Sequence, residues 1–175
     1  NVNKINEGFR KLIKDKKLIV KETFIKKETI NSDLDEAGVP KVVDLLSIDI
    51  DGNDYWVIDS LKCDFRPRVI VVEYNAGLGK SVKFTPCYEP DYIWDGSNYM
   101  GASLSAINEL LNNKGYQLVG CNLTGANAFF VQKELVKDKF YKPGNLDFHY
   151  ETPKYNSMLN RVGHKKRSYK FFESL

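Results

Sequence analysis

Two short apolar segments, each ending in acidic or amide side chains, constrain the fold of this chain more than any other feature. They read VDLLSIDIDGNDYWVIDSL over residues 43–61 and PRVIVVEYN over residues 67–75. Short runs rich in β-branched residues are typical of buried parallel strands, which occur in sheets covered by helices. Ligands of open α/β sheets bind beyond the carboxyl ends of the strands, so the acids at these ends mark the expected site.

The alternation of side chains along a strand groups these polar residues. Asp49 and Asp51 share one side of the first strand. Glu73 and Asn75 share one side of the second. If the two strands are parallel neighbours, three carboxylates and an amide converge, and they can hold a divalent cation or supply a general base with a raised pKa. Asp51 or Asn53 also has a structural interpretation, as the N-cap of the helix that follows.

Asp49 and Glu73 are predicted to be functional on energetic grounds. Both follow buried apolar runs directly. A carboxylate at the end of such a run costs free energy unless it is paired or used. We therefore expect these two acids to take part in the chemistry of the site.

Composition limits the class of protein. The 175 residues fit one domain, and an apolar content of 42% suffices for a core. No apolar stretch approaches the roughly 20 residues of a membrane span, and no secretory leader is visible, so we expect a soluble, cytoplasmic protein.

Cysteine and histidine usage excludes several kinds of site. Three cysteines occur far apart without a CxxC pair, so neither a disulfide framework nor a structural zinc site is expected. The two histidines, His149 and His164, both lie late in the chain, which argues against a catalytic triad.

The net charge of +3 is concentrated at the C-terminal end. Residues 136–175 are predicted to form a polar, basic tail that is solvated. The basic cluster over residues 164–167 could instead touch an anionic partner such as nucleic acid or a membrane surface, although no clear nucleic-acid motif is present.

The rest of the chain alternates between helical and strand patterns. This order predicts an α/β fold with a mostly parallel sheet, an antiparallel strand at one edge and helices on both faces. The predicted elements are an amphipathic helix to about residue 16, a strand over 18–25, a capped helical turn over 31–38, a crossover helix over 54–65, a helix over 103–114, and two strands in YQLVGCNL and NAFFVQKEL.

A long segment over residues 76–101, rich in Gly, Pro and Tyr, follows the second strand. Loops longer than about 15 residues are usually lids or binding loops. Its five aromatic side chains could line a substrate pocket, but for most of them we favour anchoring the loop to the body. They are Phe84, Tyr88, Tyr92, Trp94 and Tyr99.

Four motifs in a fixed order carry a family resemblance: DLLSIDIDGNDYWV, VIVVEYN, YMGASLSAINELLNNKGYQLVG and NAFFV. Together they resemble the C-terminal half of the FkbM-like branch of class I S-adenosylmethionine-dependent methyltransferases, over roughly residues 1–133. The resemblance implies a partial Rossmann-like methyltransferase sheet of order 3-2-1-4-5-7-6, with residues 18–25 as strand three. The domain would span residues 1–135, followed by the basic tail.

The same resemblance implies that part of the cofactor site is missing. The Gly-rich loop after the family's first strand, and the acid that ends its second, are not found in this sequence and would lie upstream of Asn1. We therefore expect a fragment or truncated form. Strand three would pair with strand four or remain a loose edge, and an exposed edge favours a homodimer.

Positions matched to the family suggest roles for individual residues. The resemblance implies that Lys26, Glu28 and Thr29 lie near the adenine of S-adenosylmethionine. Asp49 would lie near its methyl and methionine end. Asp49 or Glu73 would take the proton of the acceptor hydroxyl.

Further roles concern a metal and the substrate. Asp51, Glu73 and Asn75 are the candidates for a divalent metal such as Mg²⁺, and a metal-free reaction fits nearly as well. Asn75, Tyr99 and Ser103 are the expected substrate contacts. The implied activity is O-methylation of a hydroxyl on a sugar, polyketide or similar small molecule.

Two other functions remain open at this stage. SIDIDGND resembles the opening motif of haloacid-dehalogenase-type phosphatases, in which Asp49 would be the nucleophile and Asp51 the acid and base. A chain without the cofactor loop could also be a non-catalytic, methyltransferase-like binding module. A lone DxD, as found in glycosyltransferases, has no further support here.

Overall fold

The computed structural model describes residues 2–155, 163–164 and 166–173. It is a mixed α/β structure with one open sheet of four strands. No helix in this part of the chain has the length and apolar character needed to cross a bilayer. In chain order the elements are α1 (Val2–Gly8), α2 (Arg10–Lys14), α3 (Ile30–Glu36), β1 (Leu45–Ile48), α4 (Asp54–Ser60), β2 (Val69–Glu73), a 3-10 turn (Ala76–Leu78), α5 (Leu104–Asn113), β3 (Tyr116–Cys121), β4 (Asn127–Gln132), α6 (Lys133–Val136), α7 (Leu146–His149) and α8 (Lys170–Glu173).

The sheet has the strand order β1-β2-β4-β3. β1 and β2 are parallel, and Ile48 lies opposite Val72. β4 is antiparallel to both β2 and β3. This order is the 4-5-7-6 part of the order that the resemblance implied, with the antiparallel strand β4 next to the edge strand β3. Only the β1–β2 pair is parallel, so the expectation of a mostly parallel sheet is not met by these four strands. The short connection between β3 and β4 forces these two strands to be antiparallel neighbours.

The segment over residues 18–25 was predicted to be a strand, and the structure contradicts this. It is not part of any strand, and the side chain of Ile19 is 70% exposed. β-branched residues favour a strand only where a partner strand supplies hydrogen bonds and a packed face. Here Lys21 forms ion pairs with Asp33 and Glu36 of α3, so side chains rather than a ladder hold the segment.

The core lies on one face of the sheet. α4 and α5 both pack there, since Lys114 at the end of α5 reaches the backbone of Asp59 and Leu61 at the end of α4. The prediction of helices on both faces was wrong for these two helices. On the opposite face β1 leaves Leu45 57% exposed. The central core side chains include Ile48, Val57, Ile58, Ile70, Val72, Leu104, Ile107, Leu111, Leu118 and Phe130.

The described end of the predicted tail packs against the long loop, although the side chains of Lys166 and Arg167 are exposed as expected. The C-terminal segment, defined here as residues 163–164 and 166–173, runs along the long loop of residues 76–101. Lys166 forms a parallel bridge with Ser97, and the ring of Phe171 packs against Phe84 and Tyr99. Aromatic contacts and backbone hydrogen bonds thus fix residues whose charge alone suggested solvent exposure.

Candidate functional site

Three carboxylates meet where the two parallel strands end. Asp49, Asp51 and Glu73 each place a side-chain oxygen within 4.8 Å of the others, and we call this group the acid cluster. β1 ends at Ile48 and β2 at Glu73, so the parallel register puts both carboxyl ends at one edge of the sheet. The convergence predicted from side-chain alternation is confirmed for these three acids.

A tight turn after β1 positions the first two acids. Asp51 has a φ of 57° and Gly52 a φ of 154°, both outside the range that most residues adopt. The buried carboxylate of Asp54 accepts hydrogen bonds from the backbone N–H of Ile50 at 3.0 Å and of Gly52 at 2.9 Å. A Cβ on Gly52 would lie 2.4 Å from the ring of Tyr92. The turn therefore requires glycine here, and Asp54 holds it closed.

Asp54 was not among the residues predicted for the site. Its signal in the sequence is an acid two positions after Gly52, at the first residue of a helix. Asn53, for which capping was considered, occupies the N-cap position of α4 without a side-chain cap bond. Its amide instead donates to the carbonyl of Glu89 in the long loop at 2.8 Å.

The acid cluster is electrostatically unusual. Oε2 of Glu73 is buried and has no hydrogen-bond partner among the described residues. Burial, followed by the charges of Asp49, Asp54 and Asp51, raises the pKa of Glu73 to about 9. Burial and the charge of Asp51 also raise the pKa of Asp49. No lysine or arginine in the described ranges forms an ion pair with these acids.

Asn75 anchors the start of the long loop. Its side-chain amide donates to the carbonyl of Asn98 at 2.8 Å, and its side-chain oxygen accepts from the N–H of Gly77 at 3.2 Å. Both polar atoms thus bind backbone, as expected for a buried amide. These contacts give no support to the predicted metal role of Asn75. The three oxygen ligands that the geometry offers to a metal come from Asp49, Asp51 and Glu73.

The other two predicted substrate residues are structural. Ser103 is fully buried, and its hydroxyl accepts the N–H groups of Ala106 and Phe84, so it caps α5 and holds the long loop. The buried ring of Tyr99 packs edge-on against Phe84 and Tyr92. Both residues therefore anchor the loop beneath its surface, and their role as substrate contacts stays a prediction.

The residues predicted near the adenine contact the long loop. Nζ of Lys26 lies 2.6 Å from a carboxylate oxygen of Asp91. The hydroxyl of Tyr88 donates to the carboxylate of Glu28. Thr29 precedes α3 without a side-chain cap bond. These contacts tie residues 26–29 to the loop, and the cofactor role of the three residues stays a prediction.

Two cavities flank this region. The first, of about 280 Å³, is bounded by Phe24, Ile50, Asp51, Asn53 and Trp94, among others. The second, of about 200 Å³, lies between the long loop and the C-terminal segment, and its lining includes Asn75, Asn98, Tyr155, His164 and Arg167. A further cavity of about 270 Å³ reaches Arg66 and Pro67, just before β2, and therefore lies at the opposite end of that strand.

The family model of the methyltransferase FkbM domain matches residues 7–118, well over half of the chain. This chain belongs to that family. The matched range includes the acid cluster and its turn, so the FkbM domain accounts for the SIDIDGND motif that also suggested a phosphatase. The C-terminal segment of this FkbM protein lies outside the match. Neither a curated protein nor a solved structure matches the chain significantly.

Proposed function

We propose that this FkbM domain protein is an S-adenosylmethionine-dependent O-methyltransferase that acts on a hydroxyl of a sugar, polyketide or similar small molecule. The observation that carries the proposal is Glu73, a buried carboxyl with an unpartnered oxygen and a pKa near 9 at the carboxyl end of a parallel strand. Strongly shifted acids in such crevices are the usual general bases of enzymes.

The chemistry of the acid cluster fits the cationic end of S-adenosylmethionine. Asp49 and Asp51 have no ion-paired cation among the described residues, and they would hold the positively charged methionine end. The first cavity, with Phe24 and Trp94 on its wall, would receive the adenine base. When bound, the cofactor supplies an electrophilic methyl group on a sulfonium.

Glu73 then acts on the acceptor. Its carboxylate binds a proton more tightly than an ordinary glutamate because burial and three neighbouring acids disfavour the charged form. Only the ionised form of Glu73 can take the hydroxyl proton, so methyl transfer should become faster as pH rises towards about 9. Proton removal by a positioned base contributes about 10²–10⁴-fold. Asp54 keeps the turn in place, so the remaining contribution is positioning of the hydroxyl.

The proposed reaction needs no metal, although three carboxylate oxygens within 4.8 Å also suit a divalent cation. Dialysis against EDTA separates these mechanisms. We expect methyl transfer to survive the treatment. Loss of activity that Mg²⁺ restores would assign Asp49, Asp51 and Glu73 to a metal instead.

Calorimetric titration with S-adenosylmethionine tests the proposal, using this chain and any longer natural protein that contains it. We expect binding in at least one of the two, and transfer of a labelled methyl group to a hydroxyl compound. Absence of binding with and without Mg²⁺ would contradict the proposal. Binding without transfer to any hydroxyl would favour the non-catalytic module.

A further inference from the structure

We infer that the second cavity binds an anionic group, a carboxylate or a phosphate, carried by the acceptor molecule. The inference deepens the proposed function and rests on it, because it assigns the acceptor to one side of Glu73. It concerns a part of the molecule in which the C-terminal segment forms a wall.

The cavity adjoins the acid cluster. Asn75, which lines it, follows Glu73 by two residues at the end of β2. Tyr155 lines the cavity as well, and the charge of Glu73 helps burial to raise its pKa to about 12. The charge of Asp51 likewise acts on His164 in the cavity wall. The cavity therefore lies at the same end of β2 as the acid cluster, where we place the acceptor.

Among the described residues of the cavity lining, the charge is positive and has no acidic counterpart. The described residues that line it include no aspartate or glutamate. Its arginine, Arg167, forms no ion pair or hydrogen bond within the described part of the chain, whereas its neighbour Lys166 pairs with Asp95 at 2.9 Å. A guanidinium is the side chain best suited to bind a carboxylate or phosphate with two parallel hydrogen bonds.

A second donor and a flat wall complete the site. The side-chain oxygen of Asn98 accepts from the N–H of Ser168 at 2.9 Å, which leaves its amide nitrogen without a partner in the described ranges. His164 contacts two rings, edge-on to Trp94 at a centroid distance of 4.6 Å and tilted against Tyr155 at 5.1 Å. Aromatic faces suit the apolar face of a sugar, so an acidic sugar or a sugar phosphate fits this combination.

Binding of simple sugars tests the inference without the cofactor. Glucose, glucuronate and glucose 6-phosphate are titrated into the chain by calorimetry at low salt. We expect at least one anionic sugar to bind about tenfold more tightly than glucose, since one charge-assisted contact is worth roughly that factor. The stronger of the two identifies carboxylate or phosphate as the recognised group, and added salt should weaken its binding.

Matched variants locate the site. R167Q should abolish the preference for the anionic sugar, and R68Q should retain it, because Arg68 is an exposed arginine paired with Asp44 at the far end of the sheet. Circular dichroism checks that both variants fold. Equal binding of all three sugars, or a preference that survives R167Q, would overturn the inference.

Failure of the cavity assignment and failure of the proposed function give different results. Arg167-dependent anion binding without methyl transfer would leave the cavity assignment intact and remove the enzyme activity. Methyl transfer to an anionic sugar that is unchanged in R167Q would do the reverse.

Discussion

Acids at the strand ends and acids in the long loop differ in their charged neighbours and in the direction in which their pKa values are shifted. In the acid cluster, Asp49 and Glu73 lie beside like charges, and the pKa of both is raised. In the long loop, Glu89 pairs with Lys170 and Asp95 with Lys166, and the pKa of Asp95 is held below its usual range by hydrogen bonds to Ser97 and Lys166. The loop acids fasten two segments together. The strand-end acids have no ion-paired lysine or arginine in the described part of the chain, an arrangement that costs stability and is typical of functional sites.

Glu73→Gln should give the largest effect, and it tests most directly whether the strand-end acids have a chemical role that the loop acids lack. Removing the proposed base should reduce methyl transfer by about 10²–10⁴-fold. A radiolabel assay measures this with the wild-type chain as reference. Unchanged transfer would remove Glu73 from the mechanism.

The same variant should alter stability in the opposite sense. A carboxyl whose folded pKa is about 9 contributes stability that is fully present below its ordinary value near 4.5 and is lost as pH rises through about 9. Glu73→Gln should therefore unfold like the wild type at pH 4 and be more stable by about 1–2 kcal/mol at pH 8. Urea unfolding at both values checks this, and a difference independent of pH would contradict it.

Asp54→Ala should be the next largest effect, because Asp54, at the first residue of α4, is an acid near the cluster that has a structural role. The variant leaves the N–H groups of Ile50 and Gly52 without their acceptor, at a cost of about 2–3 kcal/mol. Asp54→Asn keeps one acceptor oxygen and should lose less. Urea midpoints give both values, and equal losses would argue against a role in holding the turn.

Gly52→Ala should cost about 1–3 kcal/mol, since a Cβ would lie 2.4 Å from the ring of Tyr92. That ring cannot move freely, because its hydroxyl donates to the carbonyl of Tyr99. Gly96→Ala is the matched control: its φ is also positive, at 79°, but nothing lies within 4 Å of the added Cβ. Thermal unfolding should give Gly52→Ala a melting temperature well below that of the control. Equal melting temperatures would contradict the close approach of Gly52 to the ring of Tyr92.

Lys166→Ala should have the smallest effect on stability. It removes the ion pair with Asp95, and the side chains of Lys166 and Asp95 are both more than half exposed. Exposed pairs of this kind contribute little, and salt weakens them further. A melting temperature close to that of the wild type is expected, with the residual difference shrinking in high salt. A large loss would mean that the C-terminal segment depends on this pair rather than on its aromatic contacts.

The local sequence pattern predicted an element correctly where consecutive residues alone determine that element. The paired strands, the helix over 104–113 and the hairpin of β3 and β4 were all predicted from periodicity and turn residues, whereas the serine cap of that helix was not. It failed for residues 18–25, whose pattern suits a strand but which have no ladder partner. It also failed for the C-terminal segment, because charge counts do not reveal which cations have acidic partners 70 or more residues away.

The sequence by itself determined that acids end two buried parallel strands, since burial and alternation are properties of consecutive residues. It also identified the FkbM resemblance, which the family match confirms. Only the tertiary structure decided which acids are free to act. Distances of a few ångströms separate a capped or paired side chain from an unpartnered one. Those distances gave Asp54 and Ser103 backbone partners, left Oε2 of Glu73 without a partner among the described residues, and placed Arg167 in the wall of the cavity that Asn75 also lines.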